Sequence, residues 1–189
     1  VTAEDATTQV YAVTVTVEVL KVGDSYGGGI VAYILKPGES NGVYSYDENV
    51  QHGLIAAAAD QTPSDSGIQW YNGSYTVTGA TGLAIGTGKS NTTDIVIMQG
   101  PGSYAAQLCY ALTVGIYNDW FLPSRYELNK LYENREAINN AAIGGFADND
   151  YWSSSEYDAY LAWYQYFGSG GQGSYYKYGT GRVRAVRAF

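Results

Sequence analysis

Apolar and polar residues alternate at the start of the chain. In "VTAEDATTQVYAVTVTVEVL", Tyr11, Val13, Val15, Val17 and Val19 share one parity, and Ala12, Thr14, Thr16 and Glu18 the other. A period of two predicts a half-buried strand. A new unit starts at Lys21. "VGDSYGGGIVAYILKPG" predicts a strand from Ile30 to Leu35, stopped by Pro37 and Gly38. "HGLIAAAADQ" is a continuous apolar run that fits a strand or a helix equally. "GIQWYNG" and "GSYTVTGATG" predict short strands and turns.

Two segments carry helical spacing. From about Ser103 to Val114, Ala106, Leu108, Cys109 and Leu112 supply an apolar face. The second helix begins within "LPSRYELNKLYENREAI", where Ser124 followed by Glu127 spells a capping box. Leu128, Leu131 and Tyr132 make its buried stripe. Cys109 falls on the apolar face of the first helix, which predicts a buried structural thiol rather than a nucleophile. In "AWYQYFG", Trp163, Gln165 and Phe167 point one way and Tyr164 and Tyr166 the other. That predicts a core-facing row beside an outward tyrosine row. The last stretch, "RVRAVRAF", spaces Val183 and Val186 by three, and a β-bulge would reconcile this with a strand.

Length and composition allow one full domain with a fragment of another; 46% of the 189 residues are hydrophobic, enough for a true core. The net charge of −8 argues against nucleic acid and anionic lipid as partners, since both select basic surfaces. One cysteine and one histidine, Cys109 and His52, leave no internal disulfide and little material for a metal site or a Ser-His-Asp triad. No apolar run is long enough to span a membrane. The start at Val1 reads as a piece of a longer protein.

Three motifs invite chemistry. "GLAIGTGKSNT" approximates a phosphate loop, but the glycine required five residues before Gly88 is Leu83. Asp148 and Asp150, with Glu156 and Asp158 nearby, offer oxygen ligands for Ca²⁺; a polar loop capping the next strand is the favoured reading. No carboxylate pair stands out for glycoside hydrolysis. The strongest signal is compositional. From Tyr157 to Gly181, Tyr, Gly and Ser fill 15 of 25 positions, which is the composition of antibody binding loops. Tyrosine offers a large contact area with a polar tip and few rotors to freeze.

"GGGIVAYI", "GLIAAAADQ", "GTGKSNT", "DWFLPSRYELNKLY", "YWSSSE", "AWYQYFGSG" and "RVRAVRAF" occur in this order. Together they resemble the bacterial and phage domain family DUF1566, related to the C-terminal domain of the Legionella collagen-like adhesin. The resemblance spans roughly residues 21 to 189. It implies an α+β, C-type lectin fold of the formylglycine-generating-enzyme type, with two helices packed on short antiparallel sheets. Residues 1 to 20 resemble the last hairpin of a cadherin-like or immunoglobulin-like β-sandwich, as the end of a truncated stalk.

Some members of this group are variable proteins of diversity-generating retroelements, in which adenines of a template repeat are randomised and AAY codons scatter. Changing the first two bases of AAY yields Tyr, Asp, Ala, Leu, Gly, Ser or Thr, but never Trp, Gln, Lys, Glu or Met. By the family pattern, Glu156, Ala162, Trp163, Gln165, Phe167, Gly170, Gln172, Lys177 and Arg182 onward are fixed. Between them lie Tyr157, Asp158, Ala159, Tyr160, Leu161, Tyr164, Tyr166, Gly168, Ser169, Gly171, Gly173, Ser174, Tyr175, Tyr176, Tyr178, Gly179, Thr180 and Gly181, all reachable from AAY. The resemblance implies that these eighteen form a ligand-binding face, with Trp152, Trp163 and Phe167 anchoring the sheet beneath and the glycines leaving room for the ligand.

Enzymes of the same fold use a cysteine pair, and Cys109 is alone. The Glu-Pro-Asn and Gln-Pro-Asp calcium motifs of animal C-type lectins are absent. The expectation is a non-enzymatic receptor module without metal or cofactor, extracellular and displayed on a virion or cell surface. It binds a protein, or a glycan, on a target surface. The alternatives are a fixed adhesin that binds surface glycans and, third, an enzyme of the related oxidase class.

Overall fold

The computed structural model describes residues 19–62, 66–141 and 145–189. The alternating strand read in residues 11–19, and with it the stalk hairpin, lies almost entirely outside the described residues. Elements follow the order β1 (Ser25–Tyr26), β2 (Gly29–Ile34), β3 (Gly53–Ala56), β4 (Ile68–Gln69), α1 (Gly88–Gln99), α2 (Ala105–Tyr110), α3 (Arg125–Glu133), α4 (Arg135–Asn140), β5 (Asp150–Glu156), β6 (Leu161–Tyr166), β7 (Gln172–Tyr176), β8 (Thr180–Gly181) and β9 (Val186–Ala188). Among the described residues the strands form three small antiparallel sheets, ordered β1-β2-β3-β9, β4-β8 and β5-β6-β7. The architecture is α+β, as expected.

β3 settles the ambiguous run. All four of its residues are buried. Leu54 and Ala56 pack into one apolar cluster with Leu128, Leu131, Phe121 and Phe167. Ile55 packs into the other, with Trp70, Ile95, Cys109 and Trp152. A strand covered on both faces has no polar parity, so its sequence is continuously apolar. The final segment obeys the same logic. Val183 belongs to one cluster and Val186 to the other. Their spacing of three reflects a chain leaving one sheet for another, not the expected bulge: Arg182 bridges Tyr151, and Val186 pairs with Ala56.

The helices depart from the sequence reading in three places. α2 is shorter than the predicted span of 103 to 114: it starts at Ala105 and ends at Tyr110, with Ala111 as its cap. The second helix is broken in two at Asn134, where the backbone leaves helical values and the side-chain amide donates to Ala32 O of β2 at 3.0 Å. α1 was not anticipated. Its buried residues are Gly88, Asn91, Thr92 and Ile95, a helical spacing made mostly of polar side chains. Their polar groups are satisfied: Asn91 exchanges bonds with Gly82, and Thr92 Oγ1 accepts from Leu122 N.

The capping box of α3 is present. Ser124 Oγ accepts from Glu127 N, and Glu127 Oε2 accepts from Ser124 N at 2.7 Å. α3 packs against β2, β5 and β6, so it fixes one face of the C-terminal sheet.

Candidate recognition face

β6 is the central strand of its sheet, and its register decides which side chains share a face. Tyr164 pairs with Trp152 of β5 and Gly173 of β7; Ala162 pairs with Tyr175; Tyr166 pairs with Asp150. Trp163 pairs with Ser174, and Gln165 with Tyr151 and Gln172. Directly paired residues project to the same side. The Trp163 side meets α3. The Arg125 guanidinium lies 3.6 Å from the Trp163 ring centre and donates to Gln172 Oε1 at 2.9 Å. Gln165 Nε2 donates to Asn129 Oδ1 at 2.8 Å. Gln165 and Phe167 are buried while Tyr166 is exposed, as the parity predicts. Two details differ. Trp163 is half-buried under Arg125, and Tyr164 is half-buried, its ring edge-on to Trp152.

A buried ion pair supports the end of this sheet. Lys177 Nζ lies 2.5 Å from Glu156 Oε1, with neither side chain reaching solvent appreciably. The same ammonium donates to Ala159 O and Thr76 O, and sits 4.8 Å from the Trp70 ring centre. The Glu156 carboxylate accepts from Thr78 N and Gly79 N. Lys177 O accepts from Trp70 N at 3.0 Å. One charge pair therefore fastens three stretches of chain: 70–79, 156–161 and 176–178.

Above this pair the tyrosines gather. Tyr164, Tyr175, Tyr176 and Tyr178 form a chain of ring contacts with centroids 6.5, 6.1 and 5.3 Å apart, the last pair stacked. Tyr160 meets Tyr75 at 5.1 Å, and Tyr75 meets Tyr71 at 5.2 Å. Burial first, then the charges of Tyr71, Tyr178, Tyr176 and Tyr160, push the Tyr75 phenol above its ordinary range. Tyr71 and Tyr75 were not among the expected site residues. Nothing in their local sequence marks them; the pairing of β4 with β8 and the fastening of 70–79 to Glu156 and Lys177 bring them to this face.

The other expected residues are distributed unevenly. Tyr157, Asp158, Tyr160, Tyr166, Gly168, Ser169, Gly171, Tyr175, Tyr176, Tyr178 and Thr180 are exposed. Ala159, Leu161, Tyr164, Gly173, Ser174 and Gly179 are half-buried. Tyr157 stands apart on the α3 side, edge-on to Trp163 at 5.2 Å. Tyr166 and Gly168 sit at the far end, near the β6–β7 hairpin. Gly181 is a correction: it is buried, pairs with Ile68, and a Cβ there would meet the Trp152 indole at 3.0 Å. It belongs to the framework. Gly168, Gly173 and Gly179 make room first for rings of the same chain, those of Tyr166, Tyr164 and Tyr175.

The remaining motifs resolve into structure. Gly88-Lys89-Ser90 opens α1, and a Cβ at Gly88 would collide with the Glu127 carboxylate. Burial pushes that carboxyl up to about 7, against the pull of the backbone donors around it. Cys109 is buried, and burial holds its thiol well above its ordinary value. Asp158 Oδ1 accepts from Tyr160 N and Leu161 N, capping the β5–β6 turn. No group of three or more potential ligands able to hold a metal ion occurs among the described residues. Asp60 joins Arg182, Arg184 and the Tyr151 hydroxyl, anchoring the C-terminal arginines. A cleft of about 420 Å³, lined by Lys89, Tyr110, Asp119 and Trp120 among others, is separate from the tyrosine face.

No curated protein matches the chain. A family model, that of the Lcl C-terminal domain, matches residues 60–187. The match includes Tyr71, Tyr75, the buried ion pair and the whole C-terminal segment.

Proposed function

The chain belongs to the Lcl C-terminal domain family, and from that premise we propose that it is a non-enzymatic recognition module whose C-terminal segment is diversified by a retroelement to vary its target. The family is an adhesin-like one, which fits a surface or secreted protein. Among the described residues, no helix is long and apolar enough to cross a membrane. The proposed fold is the C-type lectin fold of the formylglycine-generating-enzyme type, and the proposed setting is display on a virion or cell surface.

The observation that carries this reading is the division of roles within one segment. Glu156, Ala162, Gln165, Phe167 and Lys177, whose codons the mechanism leaves alone, are buried. The exposed positions between them are residues that AAY codons reach. A surface can be varied freely only where side chains contribute little to stability. The tyrosines provide ring area with polar tips, suited to a protein surface. The lone, buried Cys109 gives no thiol pair for oxidase chemistry.

Sequencing around the gene tests the proposal. The expected result is a reverse transcriptase beside an imperfect repeat of the 3′ end, with mismatches confined to adenines of the repeat. A neighbourhood lacking both would overturn diversification and leave a fixed adhesin, for which glycans become the leading ligand class.

A further inference from the structure

The tyrosine face is built from two parts of the chain, and only one of them lies in the C-terminal segment. Tyr75 is 43% exposed and Val77 61%, beside Tyr160 at 57% and Tyr176 and Tyr178 at 47% each. Ring contacts join Tyr71, Tyr75 and Tyr160 into one run, and Tyr176 stacks on Tyr178. The tyrosines that serve the fold use their hydroxyls internally: Tyr33 donates to Glu39, Tyr104 to Gly100 O and Tyr151 to Asp60. The hydroxyls of Tyr71, Tyr75, Tyr160, Tyr176 and Tyr178 make no such bond among the described residues.

The charge around these rings is one-sided. Residues 66–79 and 156–181 contain a single cation, Lys177. It is fully buried and neutralised by Glu156. Asp158 is the exposed charge in these stretches. Phenol faces carry the negative side of the ring quadrupole and attract ammonium and guanidinium groups. With no exposed cation of its own in these stretches, the face leaves that position to a partner.

We propose that Tyr71 and Tyr75 form a constant half of the recognition face, which together with Tyr160, Tyr176 and Tyr178 seats arginine or lysine side chains of a basic protein surface. This rests on the recognition reading above and adds the partner's chemistry. The constant half gives every variant a common attraction for basic protein surfaces, and the variable half selects among them. Its position is secured by the ion pair, since Glu156 holds Thr78 and Gly79 while Lys177 holds Thr76.

The test is an NMR titration of the whole chain with the peptide Ac-Gly-Arg-Gly-Arg-Gly-amide. Its Glu counterpart and N-acetylglucosamine serve as the other arms. The arginine peptide is expected to shift ring resonances of Tyr75, Tyr160, Tyr176 and Tyr178, with the Glu peptide and the sugar inert. Tyr75→Ala is expected to weaken binding about fivefold and Tyr75→Phe less than twofold, because the ring and not the hydroxyl attracts the cation. Matching thermal midpoints for the two variants show that the fold is intact. Shifts confined to other residues, equal shifts with the sugar, or unchanged binding by Tyr75→Ala would overturn the proposal. None of these outcomes bears on diversification, which the gene neighbourhood decides separately.

Discussion

A lysine ammonium removed from water survives only if its neighbours replace the solvent, and at Lys177 they do. One carboxylate oxygen, two carbonyls and an indole face surround it. Its flanking residues, Tyr176 and Tyr178, are half exposed; their rings stack on each other, and Tyr176 also meets Tyr175. Adjacent positions thus carry very different stability. Lys177→Met leaves the Glu156 side chain buried without its counter-charge, and is expected to cost about 3–5 kcal/mol. Tyr176→Ser is expected to change stability by no more than about 0.5 kcal/mol. Urea unfolding of both variants measures this. The double variant Glu156→Gln, Lys177→Met should recover part of the loss, because no orphaned charge then remains. A Lys177→Met protein as stable as the parent would remove the pair from its role as support.

At the scale of elements, α3 was legible because its signals are local: a capping box followed by Leu128 and Leu131. α1 was not, because its buried face is Gly88, Asn91, Thr92 and Ile95, and a hydrophobic period cannot reveal polar side chains satisfied by hydrogen bonds. The break at Asn134 was invisible for a related reason, since its cause is a carbonyl in β2. The capping box of α3 also gives the fold a pH dependence. Burial raises the Glu127 carboxyl from 4.5 to about 7. Between those values the folded chain holds a proton that the unfolded chain has released. Stability from this group is therefore fully present below about pH 4.5 and is lost as pH rises through 7. The full swing is on the order of 3 kcal/mol. Asp119, held low by Arg187 despite its burial, acts oppositely: its contribution is present above the ordinary carboxylate value of 3.8 and lost as pH falls below it. The two windows do not overlap. Glu127→Gln keeps the size of the side chain and removes the titration. Denaturant midpoints of the parent should fall between pH 5 and 7.5 while those of the variant stay flatter. Parallel pH profiles would show that Glu127 is ionised throughout.

In the whole molecule, the proposed function requires framework and face to be separable, and sequence showed one side of that division better than the other. Composition and the reach of AAY codons single out Tyr160, Tyr175, Tyr176 and Tyr178, which are exposed, because composition is a property of a single segment. They did not locate Tyr71 and Tyr75, which reach the face through the pairing of β4 with β8 and through hydrogen bonds from 76–79 to a carboxylate and an ammonium far along the chain. They also placed Gly181 on the surface, where its contact with Trp152 makes it part of the core. Separability predicts an unusual order of stabilities. A chain with Tyr157, Tyr160, Tyr166, Tyr175, Tyr176 and Tyr178 all changed to Ser loses six exposed rings and no buried member of either apolar cluster. The combined cost should stay below about 3 kcal/mol, less than the single change Lys177→Met. For a chain of this length, each kcal/mol corresponds to roughly 2–4 °C in the thermal midpoint. Thermal unfolding should accordingly show the sixfold variant melting cooperatively and above Lys177→Met. If it melts below the single lysine variant, the exposed rings hold the sheet together, and the face cannot be varied independently of the scaffold that carries it.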